Sequence, residues 1–97
     1  MKRIHNGLDK RLRWLRSKFY TQLDFEYASG CNHMVMSRYI NREAEPLFTS
    51  LVRICTRLNL SADWLLLGQD EYAPKLTDRE WFQSANYWRD KRWDRMP

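Results

Sequence analysis

A chain of 97 residues has room for one domain and little more. At 43% hydrophobic and 30% charged residues, with three Gly and three Pro, it can build a core, and the collagen-like, linker, low-complexity and turn-rich all-β classes are excluded. The formal net charge is +5 and there are five Trp, while no apolar run approaches the roughly 20 residues of a membrane-spanning helix.

Leu8, Leu12, Leu15 and Phe19 recur at helical spacing and predict an amphipathic helix whose other face is almost all basic. Trp14 lies one position off that stripe, at its edge. Thr21, followed three residues later by Asp24, is an N-cap pattern. It opens a short helix from Gln22 to Ser29, with Phe25 and Ala28 on one face. Gly30 ends this helix because glycine adopts a left-handed backbone without steric cost. Asn32 caps a third helix, His33 to Ile40, with Val35, Met36, Tyr39 and Ile40 inward and Met34 outward. Asn41 to Glu45 is a polar loop, and Pro46 suits the first turn of a fourth helix. That helix carries Leu47, Leu51, Ile54, Cys55 and Leu58, and Asn59 stops it. Ser61 caps a fifth helix, Ala62 to Leu67, closed by Gly68. After a connector over Gln69 to Leu76, Thr77-Asp78-Arg79-Glu80 is a capping box. It starts a sixth helix with Trp81, Ala85, Trp88 and Arg92 on one stripe, and Trp93 follows. The expected fold class is therefore all-α. Residues 1–68 are expected to form one helical unit, with two short helices about a glycine turn at 22–41. Residues 69–97 supply a connector and a C-terminal amphipathic helix.

The charge is unevenly placed. Residues 1–20 hold seven Lys/Arg against one Asp, a net of +6. Residues 21–73 hold four against seven, a net of −3, and residues 74–97 hold six against four, a net of +2. A basic arm ahead of a mildly acidic body points to an anionic partner, with phosphate backbone the first candidate, or else to an ordinary solvated surface. Cys31 and Cys55 form no CxxC motif and do not combine with His5 and His33 at zinc-site spacing. Both are expected to be reduced thiols, Cys55 in the core, with no metal and no cofactor. Met1 to Asn6 lacks an apolar segment behind its charges, so a secretory signal is not expected. No nucleophile–base pair, carboxylate dyad or phosphate loop stands out, and the expectation is a non-enzyme.

Two short helices joined by a glycine turn, over Gln22 to Asn41, can project the second helix from a domain. Several stretches strengthen this pattern: Gln22 with Gly30 eight residues on, Met36-Ser37-Arg38-Tyr39, Glu45-Pro46, and LVRICTRLNLSADWLLLG over Leu51 to Gly68. Over roughly Leu8 to Gly68 the chain resembles the phage-repressor-like helix-turn-helix family of the lambda-repressor and Cro type. Two positions depart from that pattern. Glu26 stands where the family usually has Ala at the contact of the two helices, and Arg42 stands where Gly often follows the third helix.

The resemblance implies a five-helix DNA-binding domain with an added C-terminal helix, serving a small phage or prophage repressor or Cro-like regulator. Its partner would be double-stranded DNA, a palindromic operator bound by a homodimer. It would work in the bacterial cytoplasm, nucleoid-associated when bound, with no membrane contact. Base-reading candidates are Gln22, Asn32, His33, Met34, Ser37 and Arg38. The Arg38 fork suits guanine O6 and N7, or else contacts phosphate or pairs with Glu43 or Glu45. Gln22 pairs with adenine, braces a neighbour, or is only a polar first-turn residue. Phosphate candidates are Asn41, Arg42, Lys10 and Arg13, with Lys2 and Arg3 as an arm. In the tail, Trp81, Ala85 and Trp88 must be buried, either by folding back on the domain or by pairing with a second chain. The alternative function is a protein-interaction module, or an antitoxin of a toxin–antitoxin pair.

Overall fold

Four of the six α-helices among the described residues begin where a side chain takes up orphan N–H groups, and four end beside a residue of left-handed backbone. The structure is a computed structural model that describes residues 7–91. It contains α1 (Leu8–Ser17), α2 (Gln22–Ser29), α3 (His33–Ile40), α4 (Phe48–Leu58), α5 (Ala62–Leu67) and α6 (Asp78–Lys91), with a single 3-10 turn at Asp70–Tyr72. The fold is all-α, and there is no β-strand among the described residues. Lys2, Arg3, Arg92 and Trp93 lie outside them. No helix among them is long and apolar enough to cross a membrane.

The caps account for these limits. Thr21 Oγ1 accepts from the Asp24 N–H at 3.0 Å, Asn32 Oδ1 from the Met34 N–H at 2.7 Å, and Ser61 Oγ from the Trp64 N–H at 3.4 Å. Thr77 and Glu80 exchange two bonds of 3.2 Å, closing the capping box of α6. Gly30, Asn59 and Gly68 all leave their helices at positive φ.

Three expectations need correction. The first helix ends at Ser17, before Phe19, although Phe19 is still buried. The fourth starts at Phe48: Leu47 is its extended N-cap and Pro46 lies before it, outside the first turn. Leu47 and Phe48 therefore face outward, with Phe48 79% exposed. In α3, Met36 and Tyr39 are buried and Ile40 packs half-buried against the core, but Val35 is exposed. Cys55 is half-buried at the edge of the core, and both cysteines are free thiols.

The core is centred on aromatic rings from four helices and the segment after α1. Trp81 of α6 is fully buried. It meets Trp14 edge-on at 6.1 Å and Phe19 at 5.6 Å. Phe19 stacks on Phe25 of α2 at 5.4 Å, and Trp14 meets Trp64 of α5 at 5.7 Å. One turn along α6, Ala85 is also buried, and its small side chain lets α6 lie against α2. Arg89 then pairs with the largely buried Asp24 of α2. Half-buried Trp88 donates its Nε1–H to the Arg57 carbonyl at 2.8 Å, and the Arg57 guanidinium sits 4.0 Å from the ring centroid. Of the two dispositions open to the tail, the chain adopts the folded-back one, with Trp81 and Ala85 buried and Trp88 half-buried against the same molecule.

Truncating a fully buried Trp removes a large apolar volume that its neighbours cannot refill. Trp81→Ala is expected to lower stability by about 3–5 kcal/mol, whereas Gln83→Ala on the exposed side of α6 should stay within about 0.5 kcal/mol. Urea unfolding followed by circular dichroism measures both.

Candidate nucleic-acid interface

The turn between α2 and α3 depends on Gly30 for two reasons. Its φ of +77° is left-handed, and a Cβ there would lie 2.6 Å from Arg57 Cδ and 2.7 Å from Arg53 Cδ. Those two arginines of α4 cover the end of α2. Arg53 Nη1 donates to the Gly30 carbonyl at 3.4 Å, and Arg57 donates to the carbonyls of Ala28 and Tyr27. Cations on the last carbonyls of a helix satisfy orphan acceptors and oppose the helix dipole.

Across the turn, Glu26 does not press its carboxylate into the helix contact. Its Oε2 accepts from the His33 backbone N–H at 3.0 Å and bonds His33 Nδ1 at 3.2 Å. The departure from Ala thus becomes a second cap for α3, beside Asn32. At the far end, Arg42 occupies the left-handed position at φ 62°. Its N–H reaches the Tyr39 carbonyl at 3.2 Å, and the Glu43 N–H reaches the Arg38 carbonyl at 2.8 Å. This double closure is the motif that usually employs glycine. The inner face of α3 is held by buried Met36 and by Tyr39, whose hydroxyl donates to Ser50 Oγ at 3.2 Å.

With α3 held at both ends and underneath, its other side faces solvent. Asn32, His33, Met34 and Arg38 are all exposed, as is Gln22 at the start of α2. Arg38 has no ion pair among the described residues, so neither Glu43 nor Glu45 takes its guanidinium. Asn32 commits Oδ1 to the cap. Ser37 is half-buried and accepts from Asn41 Nδ2 at 3.3 Å, which leaves it the least accessible of the six base-reading candidates. Asn41 and Arg42 are exposed beside the end of α3. Arg13 is brought to the same place: its Nη2 donates to the Ile40 carbonyl at 3.3 Å, linking α1 to α3. Lys10, one turn earlier on α1, is exposed on the same side. Trp81, Ala85 and Trp88 belong to the tail packing.

The basic face of α1 is less available than its sequence suggests. Arg11 Nε donates to the Leu65 carbonyl at 2.7 Å, and Arg11 Nη1 lies 2.8 Å from where a Cβ would stand on either Gly7 or Gly68. Its Nη2 is buried without a partner. Burial holds its pKa below the ordinary arginine value, opposed by Asp9 and Asp70. Arg16 donates to the Phe19 carbonyl at 3.1 Å, and the Lys18 ammonium lies 4.5 Å from the Trp14 ring centroid. The inward role of Arg11 had no clear sequence signal, since residue 11 lies beside the Leu8, Leu12 and Leu15 stripe and its partners are distant in sequence. Burial also raises the thiol pKa values of Cys31, against the opposing charges of Arg53 and Arg57, and of Cys55.

No protein-family profile, curated protein or solved structure matches this chain.

A branched or long side chain at left-handed φ costs roughly 1–2 kcal/mol relative to glycine. Arg42→Gly should therefore stabilise the fold by about 1 kcal/mol, raising Tm by roughly 4–8 °C. Gly30→Ala should lower Tm by more than that, since it must also displace two arginine side chains. Thermal unfolding of the two variants against the parent tests the pair.

Proposed function

We propose that this chain is a sequence-specific DNA-binding transcriptional regulator that presents α3 to the major groove, as the lambda-repressor and Cro-type helix-turn-helix proteins it resembles do. The observation that carries this reading is a single short helix braced at both ends and on its inner face, with polar and apolar side chains left outward at its N-terminal end. An α-helix is about 10–12 Å across with its side chains, which suits the width of the major groove, about 12 Å. Arg38 reads guanine, Met34 packs on a thymine methyl, and Gln22 reads adenine or braces the Arg38 side. Asn41, Arg42, Arg13 and Lys10 contact the phosphates flanking the groove. One helix per molecule gives a short footprint, so a two-fold pair of chains on a palindromic operator completes the reading, with half-sites about one DNA turn apart. As a small phage-type regulator it would act by occupying that operator, in the cytoplasm of a bacterial cell.

A protein-binding role, including that of an antitoxin, has one specific observation in its favour. Leu47, Phe48 and Val52 form an exposed apolar surface at the start of α4, and such surfaces often mark protein contacts.

Selection of bound sites from random DNA at low and moderate salt separates the two readings. A DNA regulator enriches a palindrome and loses affinity steeply as salt is added. Arg38→Ala should cost about 1–3 kcal/mol on the selected site and relax its preference over random DNA. Lys10→Ala should weaken both alike and reduce the salt slope by about one. Equal losses on both DNAs after Arg38→Ala would remove Arg38 from base reading, and absence of binding at low salt would favour the protein partner.

A further inference from the structure

α4 is apolar on two faces. One turns into the core with Ile54 and Leu58, beside buried Ser50. The other runs along Phe48, Val52 and Cys55, at i, i+4 and i+7, and ends on Asn59 at i+11. Phe48 is 79% exposed and Val52 46%, and Leu47, just ahead of the helix, is 65% exposed. Exposed Thr49, Arg53 and Thr56 border this stripe. A helix with an apolar stripe on each side needs a partner for each, and the described residues supply one.

At the other end of the same stripe the surface is concave. A cleft of about 470 Å³ opens there, lined by Leu58 and Asn59 at the end of α4 and by Tyr72, Pro74 and Leu76 of the connector. Its charged lining residues, Glu71 and Lys75, are opposite in sign and exposed, so an apolar group entering meets no net charge. A cavity of about 150 Å³ holds a benzene ring, so there is room for the Phe48 ring with Leu47 beside it. Within one molecule the two cannot meet, since they stand at opposite ends of a helix of 11 residues, which is about 16 Å long. A second copy brings them together. A two-fold axis crossing α4 midway between Val52 and Cys55 carries Phe48 of each chain to the level of Asn59 on the other, where the cleft opens, and both clefts are filled at once.

We infer that this face of α4 is where two copies of the chain pair, antiparallel, each seating Leu47 and Phe48 in the cleft of the other. The inference deepens the DNA-binding reading, on which its role at an operator rests, by naming the surface through which the two-fold pair is made. Area sets the strength of the pairing. Leu47, Phe48, Val52, Tyr72 and Leu76 are between 38% and 79% exposed, and together they offer on the order of 500 Å² per copy. The pair then covers about 1,000 Å², the lower limit for a specific interface. Two chains therefore pair weakly in solution, and firmly where a palindrome holds them side by side.

Sedimentation equilibrium of the full chain without DNA, from micromolar to millimolar concentration, tests the surface directly. The average mass should climb from that of one chain toward that of two. Phe48→Glu should keep the helical circular dichroism and weaken pairing by about tenfold or more, since a carboxylate would be left in an apolar seat. Tyr72→Ala, in the cleft, should weaken it as well, and Gln83→Ala on α6 should leave it unchanged. Val52 lies beside the axis, so Val52→Lys and Val52→Glu should each pair poorly alone, and an equal mixture of the two should pair better than either. On a selected palindrome, Phe48→Glu should bind one half-site as the parent does and lose the cooperative filling of the second. A parent that stays single to millimolar concentration overturns the inference, and a different protein bound at Phe48 by that single chain would give the face to that partner. Pairing that survives Phe48→Glu unchanged also overturns it. If the parent pairs through this face and no DNA site is selected, the DNA reading falls and the pairing surface stands.

Discussion

The burial of Trp81 against Trp14 and Phe19 is the contact on which the rest of the molecule depends. Five short helices of six to eleven residues each have little surface to bury between them, and small domains are marginal for that reason. The sixth helix supplies the largest fully buried side chain among the described residues. Its ring links the stripe of α1 and the Phe19–Phe25 stack, hence α2, to the tail. α3 is fixed from α1, α2 and α4, and the tail, by packing on α1 and α2, supports the elements that hold the exposed helix.

Around that contact the polar groups do orienting work. The Asp24–Arg89 pair and the Trp88–Arg57 bond place α6 along α2 and α4. A largely buried carboxylate would be costly alone, and here a guanidinium from the tail meets it. Arg57 is used three ways at once: on the carbonyls of α2, over the Trp88 ring, and through its own carbonyl to the Trp88 indole. The ends of α2, α4 and α6 are therefore tied by one residue whose charge would otherwise read as a solvated surface group.

The helices were legible because their boundaries are local chemistry. Thr21, Asn32, Ser61 and Thr77 each announce a start, and Gly30, Asn59 and Gly68 each announce a stop. Apolar spacing placed Leu12, Leu15, Ile54 and Leu58 in the core without knowledge of what they touch. What escaped was set by partners distant in sequence. Whether Trp81 met its own domain or another chain depended on where α6 would lie. Val35 and Leu47 are apolar residues that end exposed, and no local pattern marks them as outward. The candidate site divides the same way. Met34 is exposed as expected, although Val35, one of the residues counted as filling the inner face, is exposed as well. By contrast, the contact from Glu26 back to His33, the internal use of Arg11 and Arg16, and the Asn41–Ser37 bond arise from geometry across the turns.

The Arg11 plug has a topological consequence. A single guanidinium nitrogen lies 2.8 Å from the Cβ positions of both Gly7 and Gly68, so those positions can be no farther apart than twice that distance. The first five helices form a closed circuit whose entry and exit meet at one point, sealed by a desolvated cation. A domain of that kind can be opened elsewhere and rejoined there by a short loop. Residue 7 and the connector after residue 68 thus meet at one pole of the described fold.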